Sequence, residues 1–469
     1  MEIPFIGGAY TARSSNLNAQ TCINLFPVID NQQAKTVLSL FGTPGLVPFV
    51  QFDQALTRYL YVVSGYLYAI IANTIYKISS AGTYTTIGAI ATISGFLSIA
   101  DNGIEIIIVD GSSTAVLINI ITGTKTNASL PANISCITFQ DGYFIGLEKD
   151  SKRFYISGLY DGSVWDAADV ATIEGRSSNM LMVISNTSDL WFLGETSIEV
   201  YFNSGNADFP FDQVPGSLID TGIGAKASLT KIDNSLYWVT NKNRVCYNSG
   251  YQVQYISTPE IDYQLSTYSV IEDAIGFTYN VDGHDFYALV FPTAEKTWCY
   301  DIFTNYWHEW QSYQDGVTPY SRHRANCSAF FDGSWVVGDY ENGSLYKLSM
   351  NTYTDNLNPI KRQRAGINIS KERKNLIWHS FEVEFESGVG LSGGVQGSDP
   401  QAIFDWSTDG GHTWSNQRWK PIGKIGEYRN RVKWRGCGMS ISRIPRITIY
   451  DPVKVVILGA YADLEECSE

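Results

Sequence analysis

The residues with the most recognisable chemical spacing lie at Ser407 to Trp414, which read S-T-D-G-G-H-T-W. The pattern S-x-D-x-G-x-T-W is that of an Asp box, a hairpin device. Asp409 accepts hydrogen bonds from backbone N–H groups, Gly411 and its neighbour Gly410 permit positive φ, and Trp414 packs across the turn beside Ser407 and Thr413. Its expected role is structural. The five histidines (His284, His308, His323, His379 and His412) contain no HExxH pair and no metal-ligand spacing. His323, flanked by Arg322 and Arg324, has the only conspicuous setting. Seven cysteines form an odd set with no C-x-x-C, which argues against a disulfide framework and a zinc site. Gly222-Ile-Gly224 lacks the strand-to-helix context of a phosphate loop, and Asp282-Gly-His-Asp285 offers too few oxygens in register for calcium. No catalytic, cofactor or metal site is therefore expected.

A second constellation is electrostatic. The net charge is −14, yet residues 361–446 hold 15 Lys and Arg against 8 Asp and Glu. Between Arg418 and Arg446 nine basic residues face Glu427 alone. Within them Arg429, Arg431, Lys433 and Arg435 alternate, which on a strand places all four on one face. Such a stripe suits an acidic protein surface, DNA phosphate or plain solvation. The acidity of the whole chain favours a protein interface.

The elements that must position these residues read as strands. Helical periodicity bounded by caps is almost absent, whereas short β-branched and aromatic runs alternate with Gly, Asn and Asp turns. Arg58 to Ile87 is such a meander, and its grammar recurs every 30 to 50 residues up to about residue 348. That is the period of four-stranded propeller blades, whose closed ring removes exposed sheet edges. The expected fold is all-β, with a six- or seven-bladed β-propeller over 51–360 and a basic, β-sandwich-like C-terminal domain over 361–469. Residues 1–50 form an N-terminal segment packed on the propeller or on a neighbouring subunit, and Thr354 to Arg364 reads as a linker. A pair of sandwiches is the alternative. No basic n-region precedes an apolar run, and nowhere do 18 apolar residues follow one another, so neither a signal peptide nor a membrane-spanning segment is expected.

Three stretches together resemble the tail-nozzle family of short-tailed phages, also called packaged-DNA stabilisation proteins or tail accessory factors. The first comprises Pro4-Phe-Ile-Gly-Gly-Ala-Tyr10, Ala19-Gln-Thr-Cys-Ile-Asn-Leu-Phe-Pro27 and Gly42-Thr-Pro-Gly-Leu46; the second is Asp405 to Trp414; the third runs from Gly423 to Arg435 with Asp451 to Tyr461 after it. The resemblance implies a homohexamer in the virion tail, assembled in the host cytoplasm. It would dock beneath the portal or adaptor, continue the DNA channel, stabilise the packaged genome and serve as the ejection conduit. Implied partners are a tail needle or plug and tailspikes or fibres, with genomic DNA passing without sequence-specific contacts. No enzymatic step is implied. Channel-facing loops are expected to be acidic, because a basic lining would grip the phosphate backbone.

The rival from another class is a glycan-binding or glycan-cleaving propeller, favoured by the Asp box and by Trp298, Trp307 and Trp310 if these are exposed. A sialidase would also need an arginine cluster, a Tyr/Glu nucleophile pair and an acidic proton donor, and these cannot be assigned.

Overall fold

In the computed structural model the described residues are 1–30, 36–52, 56–175, 178–206, 208–313 and 320–467; the C-terminal limit at 469 lies outside them. Blade 1 consists of Thr57–Val63, Tyr66–Ile71, Thr74–Ile78 and Tyr84–Ala89, each antiparallel to the next. Its first turn, Ser64-Gly65, has positive φ at both residues, the backbone twist that a two-residue hairpin needs. Asp141-Gly142, Asp282-Gly283 and Asp332-Gly333 repeat this device in later blades.

Blades 2 to 5 occupy residues 98–129, 134–172, 180–213 and 230–255, each a four-stranded antiparallel sheet. Blade 6 covers 275–309. Blade 7 takes three strands from Ala325–Phe331, Ser334–Asp339 and Leu345–Ser349, and its fourth, Gly45–Val50, from the N-terminal segment. Seven blades result, the larger of the two expected numbers.

Ring closure is a packing event as well as a pairing one. Val50, Phe331, Val336 and Leu345 on the blade 7 side share an apolar cluster with Leu60, Leu67 and Ile71 of blade 1, and Thr57 Oγ1 donates to the Gly343 carbonyl at 3.0 Å. Each inner sheet is covered on both faces by its neighbours, so strands such as Glu105–Val109 (EIIIV) are continuously apolar rather than alternating. Trp298, Trp307 and Trp310, considered above as exposed glycan platforms, are all buried. Strand-end aromatics here fill the space between elements, and burying each large side chain contributes about 1.5–3 kcal/mol.

The C-terminal unit is a two-sheet sandwich. One sheet runs Leu25–Ile29, Leu38–Gly42, Val456–Glu466, Leu376–Phe385, Val432–Arg435. The other runs Ala19–Ile23, Arg362–Ala365, Ser442–Ile449, Gln401–Ser407, Arg418–Pro421. Phe381 and Phe404 stack between them with ring centroids 4.6 Å apart. A single parallel bridge, Ile23 to Glu309, joins the second sheet to blade 6. Residues 1–50 thus supply strands to both sandwich sheets and to blade 7. The stretch expected as a linker begins instead as a tight hairpin, Thr354–Asp355 with Asn358–Pro359, in which Asn356 and Leu357 have positive φ. Burial of Asp355 against Leu46 of the closing strand holds it in place.

Candidate functional site

The first strand of every blade is its innermost, and the seven inner strands surround an axial cavity of about 750 Å³. Its charged lining is Arg58, Lys226 and Arg322 against Glu272 and Asp273. Arg58 is committed to the structure, donating to the carbonyls of Ala72 at 3.0 Å, Thr92 at 2.6 Å and Ser94 at 2.9 Å. The Arg322 guanidinium lies over the Tyr340 ring at 3.5 Å and faces Glu295 at 3.8 Å. A cavity of this volume matches a small molecule. It cannot pass a DNA duplex, so any DNA path runs outside the single propeller.

The cavity opens beside the beginnings of the inner strands, so the far ends of those strands share the opposite rim. At these ends the first turns carry Asp101, Asp141, Asp189, Asp233, Asp282 and Asp332. Six of seven blades therefore present an aspartate on one face. At Asp141, Asp233, Asp282 and Asp332 turn chemistry accounts for the choice of residue, since all four take the left-handed region that Asp tolerates, while Asp101 and Asp189 are strand residues flanking their turns; an acidic rim is the consequence.

The basic stripe is only partly a strand. Val432–Arg435 pairs with the 376–385 strand, placing Lys433 opposite Glu382 and Arg435 opposite Ser380. Arg431 immediately precedes the strand and forms a bidentate pair with Glu382 at 2.7 and 2.7 Å, while Lys433 stands 3.8 Å from the same carboxylate. Arg429, expected in register with them, sits in a turn. Asn430 Nδ2 donates to the Pro421 carbonyl at 2.7 Å and bends the chain there. Two of the four cations thus share one internal carboxylate, and Arg429 and Arg435 face solvent.

Three arginines of this unit are buried, Arg362, Arg364 and Arg443, the last of which the sequence reading counted within the basic run 418–446. Arg443 lies between the Trp378 and Trp406 rings at 4.8 and 4.7 Å. Arg364 reaches the carbonyls of Phe5 at 2.7 Å and Gly8 at 2.6 Å, clamping the N-terminal motif. Gly8 is needed there, because a Cβ would lie 2.9 Å from the Trp307 carbonyl. The alternation Arg362-Gln-Arg364 at a strand start was the available signal.

The Asp box holds its own turn. Ser407 Oγ donates to Asp409 at 2.7 Å and accepts from the Gly411 amide at 2.8 Å, while the Thr413 amide donates to both Asp409 oxygens at 2.9 and 3.0 Å. These bonds, the Thr413 hydroxyl first among them, hold the Asp409 carboxyl well below the usual range. Trp414 packs on Ala19, Ala365 and Ile444 and is covered by the Arg446 guanidinium at 3.5 Å. A Cβ on Gly410 would fall 2.0 Å from Asn16 Oδ1, so the turn and the N-terminal segment are in direct contact.

The histidines are dispersed. His284 pairs with Asp301 at 2.8 Å, His379 with Glu465 at 2.7 Å, and His412 lies 3.3 Å from Ser15. His323 stacks on Trp310 at 3.6 Å, and burial with Arg324 beside it lowers its pKa. Burial lowers His308 to about 4. Burial also raises the thiols of Cys22 to about 11 and Cys327 to about 12, so neither is a thiolate at neutral pH. Among the described residues no group of three His, Cys, Asp or Glu is placed to hold a metal ion.

The described residues form a closed propeller carrying a sandwich, with charged surfaces on both. The family model described as bacteriophage P22 Gp10, beta-propeller, matches residues 1–353, and that described as bacteriophage P22 Gp10, beta-sandwich, matches residues 362–465. The chain belongs to this family of phage tail structural proteins. No curated protein sequence matches it. Similar solved structures include the WD40 β-propeller domain of Doa1, with 10% identity, TM-score 0.41, and coverage of 65% of this chain and 97% of that one. BamB from Moraxella catarrhalis gives 10%, 0.40, 66% and 97%, and the Cps50 (Swd1) propeller of Myceliophteria thermophila gives 6%, 0.43, 65% and 99%.

Proposed function

We propose that this phage tail protein is the nozzle: a homohexamer that docks beneath the portal or adaptor, extends the DNA channel, retains the packaged genome and conducts it during ejection. The observation that carries this reading is the match of the P22 Gp10 models to both domains, in order. The chemistry agrees with it. The acidic rim at Asp189, Asp233, Asp282 and Asp332 repels phosphate and lets DNA slide past without sequence-specific binding, and the axial cavity leaves the channel to a ring of copies. Arg429, Arg431, Lys433 and Arg435 form a protein interface toward an acidic neighbour. A tail needle or plug and tailspikes or fibres complete the assembly, which is built in the host cytoplasm.

Particles of the parent phage assembled without this chain test the reading. They package DNA and then lose it to added nuclease, and adding the purified chain restores protection. Full nuclease resistance without the chain contradicts the role in genome retention.

A further inference from the structure

The strongest pair of uncommitted surfaces consists of one on the sandwich and one on the propeller. Arg418–Pro421 and Val432–Arg435 are the terminal strands of their respective sheets, and side chains lace them together: Trp434 Nε1 donates to the Arg418 carbonyl at 2.9 Å and Arg418 Nη2 to the Arg435 carbonyl at 2.6 Å. Around them Trp419, Ile425 and Tyr428 are exposed, the last at 73%. Lys420, Arg429 and Arg435 stand among these side chains, and no acidic residue among the described residues forms an ion pair with any of them. An exposed aromatic and aliphatic patch ringed by unpaired cations is a surface that proteins normally cover.

The second surface lies on blades 2 and 3. Ile104, Ile121, Leu159, Tyr160 and Val164 are exposed, Ile121 at 84%. They are brought together by short backbone contacts. The Ile120 amide donates to the Ile104 carbonyl at 2.9 Å, Asn102 Nδ2 donates to the Tyr160 carbonyl at 3.1 Å, and the Tyr160 amide donates to Gly142 at 2.7 Å. Asp101, Asp141, Asp161 and Asp166 border this apolar area, and none of them is in an ion pair among the described residues. Asp161–Thr172, the outermost strand of blade 3, is terminal in its sheet beside it.

The two surfaces are alike in apolar character and opposite in charge. Within one molecule the sandwich is joined to blades 6 and 7, three places around a seven-membered ring from blade 3 and two from blade 2. We infer that the basic edge of the sandwich of one copy seats on the acidic, apolar flank of blades 2 and 3 of the next, giving a head-to-tail contact. This rests on the ring reading above and names its interface. Contacts between two different surfaces of one chain are heterologous, the kind that generates closed rings when the rotation closes. Nucleic acid would satisfy the basic edge but leave the apolar flank bare, and the aspartates there would repel it. A second copy covers both surfaces at once.

The test uses full-length chains in two charge-reversed forms, Lys420→Glu/Arg429→Glu/Arg435→Glu and Asp141→Lys/Asp161→Lys/Asp166→Lys. Native mass spectrometry reads assembly of the free chain and of the chain on a portal–adaptor complex. Each form alone needs at least about tenfold more protein to assemble than the unaltered chain. Mixed in equal amounts, the two forms recover assembly as alternating rings, since the reversed edge of one meets the reversed flank of the other while the two unaltered surfaces meet as before. One chain carrying all six reversals assembles like the original. Trp419→Ser and Ile121→Ser, which leave charge untouched, weaken assembly in the same direction and serve if a charge-reversed form does not fold. Rings formed unchanged by both charge-reversed forms overturn this interface and leave the ring reading standing. An unaltered chain that never self-associates, free or on the complex, removes the ring reading itself.

Discussion

Arg364 donates from Nε to the carbonyl oxygen of Phe5 at 2.7 Å, joining positions 359 residues apart in the chain. Its Nη1 takes the Gly8 carbonyl at 2.6 Å, so one buried cation fixes the N-terminal motif onto the sandwich. Charge-assisted hydrogen bonds of this kind contribute about 1.5–3 kcal/mol each. Arg364→Met therefore lowers the urea unfolding free energy by several kcal/mol, and limited proteolysis then cuts within residues 1–20 before the propeller is touched. A variant with unchanged stability and an intact N-terminus would show that the clamp is dispensable.

Closure of the propeller leaves no room at Gly338, where a Cβ would lie 2.3 Å from Thr57 Cγ2 and 3.0 Å from Cys327 Sγ. Gly338→Val forces blades 7 and 1 apart at an overpacking cost of about 1–3 kcal/mol. Thermal unfolding at two wavelengths checks this, with a lowered midpoint as the expected result.

The Asp box is expected to act on the segment it touches. Asp409→Asn weakens acceptance from the Thr413 amide and hydroxyl, and amide exchange accelerates at Thr413 and across residues 15–19 while the blades keep their protection. Acceleration spread evenly over the chain would contradict a local role.

Three buried groups set opposing pH dependences. Burial raises Asp355 to about 7, against the hydrogen bond from Ser312 and the charges of Arg362 and Arg324. A raised folded pKa contributes stability at low pH that is lost as pH climbs from about 4 to about 7. Burial lowers His308 to about 4 and His323 further, so their contributions are present above about 6.5 and lost as pH falls. Asp355→Asn removes the opposing term, and stability then drops more steeply between pH 6.5 and 4.5, by about 1.4 kcal/mol per pH unit. Urea midpoints at the two pH values decide it, and parallel behaviour of the two proteins would exclude the assignment.

The blades were legible because each hairpin carries its own instructions: a period-two run, a turn residue at positive φ, and a second run, as in Ile134–Gln140, Asp141-Gly142 and Tyr143–Glu148. The fourth strand of blade 7 was not legible. Nothing local to Gly45–Val50 names Leu345–Ser349, about 300 residues away, as its partner. Among the site residues the Asp box was readable for the same local reason. The basic stripe was readable only from Arg431 onward, because the bend at Asn430 depends on the Pro421 carbonyl across the sandwich. Burial of Arg364 and Arg443 was hidden for a related reason: carbonyls and rings from distant segments receive them. Composition therefore overstated the surface basicity of the C-terminal unit, which is concentrated near 418–435.

The most direct test of the nozzle account is the mass and projected symmetry of the chain bound to a portal–adaptor complex, by native mass spectrometry and negative-stain microscopy. The account predicts six copies attached coaxially, with an open channel on the shared axis. A persistent monomer that ignores the complex and binds glycans would contradict it.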